Sequence, residues 1–207
     1  MNEDNSIYFM PASGKADIGE SKFFGAPDLP ENFDWPADSE GFDMEFICQI
    51  NCCDAHKFNS EIPESGMLYF FGCIAEPLGV PDAPKISEGF QSMGYFSVKY
   101  EDIPVPELQS GEIVDINGDP IGFKEIKIEF SKDENVCTEM YHKLLGGYPE
   151  GTDTDELSDY RLLLCLDSFS GEDFDLEFQD SGYLYFLIKE SDLTNKDFSK
   201  VICYLAI

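Results

Sequence analysis

The sequence predicts an α+β protein with a mainly antiparallel β-sheet, few helices and two similar halves. Three observations lead to this prediction. Aromatic residues make up 14% of the 207 residues, and aromatic side chains favour strands. Short apolar runs and alternating segments are bounded by turn residues, as strands usually are. Finally, the chain resembles itself at a fixed spacing, which is the signature of a structural repeat.

The repeat rests on two pairs of segments with the same separation. Residues 46–54 (FICQINCCD) share their apolar pattern with 162–170 (LLLCLDSFS), and 64–71 (ESGMLYFF) resemble 180–187 (DSGYLYFL). In both pairs the second segment begins 116 residues after the first, with no gap between the blocks. Chance similarity between strands does not readily give one shared separation.

A third block extends the repeat towards the start of each half. KFFGAP begins at Lys22 and KLLGGYP begins at Lys143, 121 residues later, which implies a short length change between the blocks. No low-complexity linker separates the halves. We therefore predict a single compact domain made of two repeats, about 20–115 and 120–207.

The individual strands follow from local patterns. MEFICQI and RLLLCLD are apolar runs typical of strands buried on both faces, whereas GYFSVKY and GFKEIKIEF alternate as half-exposed antiparallel strands do. Ser-Gly at 65–66 and at 181–182 is a turn signal directly before a strand. KVICYLA at the end of the chain is predicted to be the closing strand.

Two helices are predicted. Ser131 and Glu134 form an S-x-x-E capping box, and Gly146 and Gly147 supply a stop signal. Between them, apolar residues recur at three- and four-residue spacing: Val136, Cys137, Met140, Tyr141, Leu144 and Leu145. A second, shorter helix is expected from Ser191 to Phe198.

These blocks together resemble the YwqG-like family of bacterial proteins, whose function is uncharacterised. The matching segments run in order along the chain: SKFFGAPDLP, FDWP, MEFICQI, IPESGMLYFF, YHKLLGGYP, LLLCLDS, DSGYLYFLI and DLTNKDFSKV. The resemblance implies an α+β fold with an internal duplication and implies no reaction. Cys165 stands where family members often have Gln, whereas Gln49 is present in the first half.

The charge restricts the partners that the protein can attract. Thirteen Lys and Arg against 42 Asp and Glu give a formal net charge of −29. Such a field repels nucleic acids and anionic membranes and attracts basic proteins or cations. The charge also favours a soluble monomer. The N-terminus lacks a signal-peptide pattern and no apolar run suffices to span a bilayer, so we predict a cytoplasmic protein.

Cysteines and acidic loops offer only weak metal signals. Cys48, Cys52, Cys53 and His56 form a C-x3-C-C-x2-H cluster, but no second Cys pair has ligand spacing. The segment Asp115–Asp119 lacks the Gly and Glu positions of an EF-hand, so a turn is favoured. We predict no metal and no cofactor. Most of the seven cysteines lie in apolar runs and are interpreted as reduced core residues.

No catalytic motif is present, and we assign no catalytic residue. The candidate binding residues are Trp35, Gln49, His142 and Asp167. The leading hypothesis is a non-enzymatic protein that binds a basic protein partner. The alternative is an enzyme or small-molecule binder that uses a groove between the halves, with these four residues at one cavity. A third hypothesis is an acidic protein that binds a cation.

Overall fold

The computed structural model describes residues 5–72, 95–111, 123–136, 141–147, 159–171, 174–176 and 182–206. Within these ranges the helices are α1 (Cys52–His56) and α2 (Glu190–Thr194), with 3-10 turns at Val105–Glu107, Glu134–Val136 and Phe198–Lys200. The strands are β1 (Ile7–Ala12), β2 (Lys22–Phe23), β3 (Asp28–Leu29), β4 (Glu45–Asn51), β5 (Met67–Gly72), β6 (Phe96–Glu101), β7 (Gln109–Ser110), β8 (Ile126–Ser131), β9 (His142–Leu144), β10 (Arg161–Asp167), β11 (Phe169–Gly171), β12 (Phe174–Leu176), β13 (Tyr183–Ile188) and β14 (Ile202–Ala206).

Ten strands form one sheet, in the order β14-β13-β10-β9-β1-β8-β2-β4-β5-β6. Every pairing described in it is antiparallel. Two small antiparallel pairs, β3 with β7 and β11 with β12, lie outside it. The prediction of a mainly antiparallel sheet with few helices is therefore confirmed. The apolar runs MEFICQI and RLLLCLD become β4 and β10, and the closing strand becomes β14.

The centre of the sheet is built from strands that lie far apart in the chain. β1 pairs with β8 on one side and with β9 on the other, while β8 also pairs with β2. To one side of this centre lie β2, β4, β5 and β6, and to the other lie β9, β10, β13 and β14. The N-terminal strand is thus hydrogen-bonded to a strand from the C-terminal part of the chain.

The sheet curls around the main hydrophobic core. Phe70 on β5 and Phe186 on β13 make ring contact at 4.9 Å between centroids, although their strands lie second from opposite edges of the sheet. Phe96 on the edge strand β6 also contacts Phe186. All three rings are buried. Burying a phenylalanine stabilises the fold by about 1.5–3 kcal/mol, so these contacts favour the curled shape.

Alternate residues of the same strands pack on the outer face of the sheet. Tyr69 and Phe71 on β5 belong to one outer cluster, which includes the partly buried Trp35. Cys165 on β10 and Tyr185 on β13 belong to another. Because side chains alternate between faces along a strand, β4, β5, β10 and β13 are covered on both sides. This explains why their sequences are predominantly apolar.

The prediction of a helix that begins at Ser131 and ends at Gly146 is wrong. Glu134–Val136 forms a single 3-10 turn, and His142–Leu144 forms β9, which pairs with both β1 and β10. Residues 137–140 lie outside the described residues. Pairing on both sides satisfies the backbone of β9, so tertiary context overrides the helical spacing. The short helix predicted near Ser191 is present as α2.

A sharp backbone turn follows β2 and again follows β9. Phe24 and Gly25 have φ angles of 50° and 68°, and Leu145 and Gly146 have 58° and 86°. A Cβ atom added at Gly25 would lie 2.6 Å from the Cβ atom of Glu125 and 3.1 Å from its Cα atom. Glycine is therefore required at this turn both by its conformation and by the close approach of a neighbouring backbone.

We expect the substitution Gly25→Ala to lower the free energy of unfolding by about 3 kcal/mol, since it combines left-handed strain with overpacking. Urea unfolding followed by Trp35 fluorescence would measure it. Gly14→Ala is the matched control, because Gly14 also has a positive φ angle but an added Cβ would meet nothing within 4 Å. It should cost about 1 kcal/mol. Equal losses would contradict the role of the Glu125 contact.

Candidate functional site

A buried polar network surrounds Gln49, one of the predicted binding residues. The Gln49 Nε2 group donates to Asp28 Oδ2 at 2.6 Å, and the Asp28 backbone N–H donates to Gln49 Oε1 at 2.8 Å. Lys22 Nζ lies 3.0 Å from Asp28 Oδ1, and the Gly19 N–H donates to Asp28 Oδ2. Tyr69 Oη donates to the Asp28 carbonyl. Lys22, Asp28 and Gln49 are all at most 3% exposed, so the network fastens β2, β3 and β4 together.

Trp35 anchors the loop between β3 and β4. Its ring contacts Phe71 at 4.9 Å and Phe33 at 6.4 Å between centroids. Its indole N–H donates to the Met44 carbonyl at 3.0 Å. This single tryptophan is partly buried and holds both the start and the end of the loop against the outer face of the sheet.

His142 is buried inside the curled sheet. Its ring stacks on Phe9 at 5.6 Å and lies 5.3 Å from Phe23. The Asp167 backbone N–H donates to His142 Nδ1 at 3.1 Å, so the neutral ring carries its proton on Nε2. Burial lowers the pKa of His142 to about 3. The ring is therefore neutral at physiological pH.

Asp167 lies at the end of β10, beside β9. Its Oδ2 atom accepts a hydrogen bond from the Tyr141 backbone N–H at 2.9 Å. Burial raises the pKa of Asp167, while the backbone hydrogen bonds from Tyr141 and Ser168 act in the opposite direction. Burial and, to a smaller degree, the negative charge of Asp167 raise the pKa of Tyr183. The structure thus brings His142 and Asp167 together.

The four predicted binding residues lie in two places. His142 and Asp167 meet where β9 pairs with β10, whereas Gln49 is on β4 and Trp35 precedes it, across the centre of the sheet. The enzyme hypothesis requires all four at one cavity. This arrangement gives that hypothesis no support.

The most exposed large apolar side chain in the described part of the chain is Phe42, at 67%. It lies in a hairpin that we call the acidic tip, residues 37–43. The Asp38 N–H donates to the Phe42 carbonyl, and Asp38 Oδ1 accepts from the N–H groups of Glu40 and Phe42. A bridge between Ala37 and Asp43 closes the hairpin. The backbone of the acidic tip is therefore ordered while its phenylalanine contacts solvent.

Carboxylates surround Phe42, and the sequence between Lys22 and Lys57 contains no Lys or Arg. Asp38, Glu40 and Asp43 lie within the acidic tip itself. Asp34, in the same loop, pairs with Lys99 Nζ at 2.9 Å. The other three carboxylates form no ion pair with a described residue. An exposed aromatic ring within uncompensated negative charge is chemically suited to a cationic surface.

Sequence reasoning did not single out Phe42. A usable signal was present: an aromatic residue follows an Asp-Ser-Glu-Gly turn inside a long segment without basic residues. That pattern predicts an exposed loop with a local charge much denser than the average of the chain. The sequence does not reveal the hairpin that keeps the Phe42 ring out of the outer cluster around Trp35.

Two of the three cysteines in the predicted cluster, Cys48 and Cys52, are packed in the core. Cys52 and Cys53 lie on α1, where Cys52 is buried and Cys53 is exposed. Burial raises the pKa of the Cys48 and Cys52 thiols. Among the described residues, no group of three or more His, Cys, Asp or Glu side chains could hold a metal ion. The segment Asp115–Asp119 lies outside the described residues.

Comparison with known families accounts for most of the chain. A model described as "Domain of unknown function (DUF1963)" matches residues 21–206. The chain belongs to the DUF1963 family. A comparison with curated proteins gives no match. In this DUF1963 protein the matched residues include Lys22, Asp28 and Gln49, the acidic tip and His142, whereas β1 precedes them. No helix in the described part is long and apolar enough to cross a membrane.

Proposed function

We propose that this DUF1963 protein is a non-enzymatic binding protein that recognises a basic protein partner through the acidic tip. The observation that carries the proposal is Phe42, held 67% exposed on an ordered hairpin whose carboxylates form no ion pair with any described residue. Aromatic residues in such settings commonly dominate binding energy, and surrounding charges steer the approach of the partner. The net charge of −29 extends the same preference over the whole molecule.

Preorganisation adds to the case. Asp38 fixes the hairpin through four hydrogen bonds: its side chain accepts two, its carbonyl accepts one from the Gly41 N–H, and its own N–H donates one. A partner that receives Phe42 therefore does not have to order this loop, which reduces the entropic cost of association. Under this proposal the protein acts in the cytoplasm as a monomer, without a cofactor, nucleic acid or membrane.

We further propose that the chain is a YwqG-like protein formed by internal duplication, as one compact domain with repeats at about 20–115 and 120–207. Support comes from the identical outward order of strands on either side of β1 and β8. The register also shifts between Phe46 and Cys48 on β4 and between Leu162 and Leu164 on β10, 116 residues later. The left-handed turns after β2 and β9 add a third correspondence.

The binding proposal can be tested by replacing Phe42 with a photoactivatable phenylalanine analogue in cells that express the protein. Irradiation should give a crosslink to a basic protein, identified by mass spectrometry. The matched control carries the analogue at Ile18, which is 51% exposed but lies outside the acidic tip. Crosslinks that are absent, or equal at both positions, would refute the proposal.

With the captured partner purified, we expect Phe42→Ala to weaken its binding by about 30-fold, which is a typical effect of losing an interface hot spot. Ile18→Ala should change the dissociation constant less than twofold. The association rate should fall as salt is raised from 50 to 300 mM, because the steering charges are exposed. Surface plasmon resonance measures all three effects. An association rate that is independent of salt would contradict the electrostatic part of the proposal.

A further inference from the structure

A groove of about 360 Å³ lies where the loop after α1 meets α2. It is therefore formed by residues from the first half of the chain on one side and from the second half on the other. Its volume falls within the range of small-molecule sites. One side is lined by His56, Ile62 and Glu64, among others, and the other by Glu190, Leu193 and Lys196.

The apolar part of the groove is rigid. Ile62 and Leu193 are 1% and 4% exposed and both belong to the main hydrophobic core. Pro63 follows Ile62 on the same wall. Core packing therefore makes this wall of the groove rigid, while the three buried side chains themselves present almost no surface.

The polar part of the groove presents hydrogen-bond acceptors. His56 Nδ1 lies 2.7 Å from the Ile62 carbonyl oxygen, which can only accept, so Nδ1 carries a proton. In the neutral ring, Nε2 is then an acceptor. Glu64 is exposed and forms no ion pair with a described residue. The groove therefore has an acceptor nitrogen and a carboxylate beside its apolar wall.

The remaining charges of the groove are already engaged. Arg161 contacts Glu61 through Nη2 and donates to Glu190 through Nη1, which joins the two sides of the groove. Lys196 Nζ lies 5.9 Å from the centre of the Tyr100 ring, in a cation–π contact. These pairs leave Glu64 and His56 as the groups that a ligand would meet.

We propose that this groove binds a small organic cation, in which an aliphatic body carries a terminal ammonium or guanidinium group. The cationic group donates hydrogen bonds to Glu64 and His56 Nε2, and the aliphatic part lies along the groove of about 360 Å³. The site shares no residue with the acidic tip, so it is independent of the proposed partner.

Isothermal titration calorimetry with agmatine, using the full chain, tests the proposal. We expect saturable binding of one agmatine per chain and no saturable binding of pentanol or valerate, which lack the cation. Glu64→Gln should weaken agmatine binding about tenfold, as expected for loss of one charge-assisted hydrogen bond. His56→Asn should also weaken it, because asparagine can still donate to the Ile62 carbonyl but lacks Nε2.

Glu107→Gln is the matched control, since Glu107 is exposed and lies outside the groove. It should leave the affinity unchanged, as should Phe42→Ala. Equal weakening by Glu64→Gln and Glu107→Gln would show mere attraction to an acidic surface and overturn the proposal. So would the absence of saturable binding. Loss of partner binding in Phe42→Ala with agmatine binding intact would separate the two sites.

Discussion

Asp28→Ala should lower the free energy of unfolding by about 3–5 kcal/mol, the usual cost of leaving a buried charge without its partner. The substitution removes the carboxylate that Lys22, Gln49 and the Gly19 N–H share. Lys22 is 3% exposed and, among the residues that the structure describes, would retain only Glu125 as an ionic partner, with a carboxylate 3.6 Å away. Urea unfolding monitored by circular dichroism would measure the loss.

The same network predicts an order of effects. Lys22→Met should cost less than Asp28→Ala, because Asp28 keeps the donors of Gln49 and Gly19 when the lysine is removed. Asp34→Ala is the matched control for loss of an ion pair, since Asp34 is 94% exposed in its contact with Lys99. Its cost should stay below about 1 kcal/mol. Similar losses of unfolding free energy for Asp28→Ala and Asp34→Ala would show that burial does not determine the cost of breaking these ion pairs.

Acid should destabilise the protein through His142. Burial lowers the pKa of this residue from 6.5 to about 3, so the unfolded chain binds a proton that the folded chain rejects between these values. Stability from this group is complete above pH 6.5 and falls as the pH decreases towards 3. The slope approaches about 1.4 kcal/mol per pH unit, giving about 3 kcal/mol between pH 7 and 4.

The contribution can be isolated by comparison with His142→Asn, which does not titrate and offers an oxygen that can accept from the Asp167 N–H. Carboxylates that titrate in the same range contribute to both proteins and cancel in the difference. We expect the stability advantage of the wild type over the variant to decrease by about 3 kcal/mol between pH 7 and 4. Parallel curves would mean that the folded protein accommodates a charged imidazole.

Strands that are buried on both faces were predictable because their signal is local. β10 contains an unbroken apolar run, β4 contains one interrupted only by Gln49, and Ser-Gly precedes β5. Such segments have no amphipathic alternative of helical length, so pattern alone identifies them. The pairing of β1 with β9 and of β8 with β2, at the centre of the sheet, was not predictable. It depends on pairings between residues more than 100 positions apart, which a single sequence does not reveal.

The failed helix shows where local pattern misleads. Tyr141, Leu144 and Leu145 have helical spacing, yet Leu144 lies in a strand and Leu145 in a left-handed turn. A left-handed turn after a strand interrupts the alternation of side chains between the two faces. The spacing of the buried residues then resembles the 3.6-residue period of a helix. The match between KLLG and KFFG was the better guide, because Lys22 begins β2 and Lys143 lies in the middle of β9.

The candidate site was only partly accessible from sequence. Gln49 and Asp167 were named, but the partner of Gln49 is Asp28, and Asp167 meets His142 only because β9 pairs with β10. Phe42 was missed because net charge is a property of the whole chain, whereas a docking surface depends on local density and exposure. Exposure of one aromatic ring is decided by a hairpin of seven residues.

The central position of β1 has a consequence for biosynthesis. Ile7 pairs with Leu144 and Tyr8 with Ser131, so a nascent chain must release more than 140 residues from the ribosome before β1 can acquire both neighbours. Until then β1 remains an unpaired apolar strand. The side of the sheet formed by β2, β4, β5 and β6 can fold before this step. The sheet can be completed only after the last third of the chain has been synthesised. We therefore expect the incomplete chain to aggregate more readily than the finished one, because an unpaired apolar strand can pair with other chains.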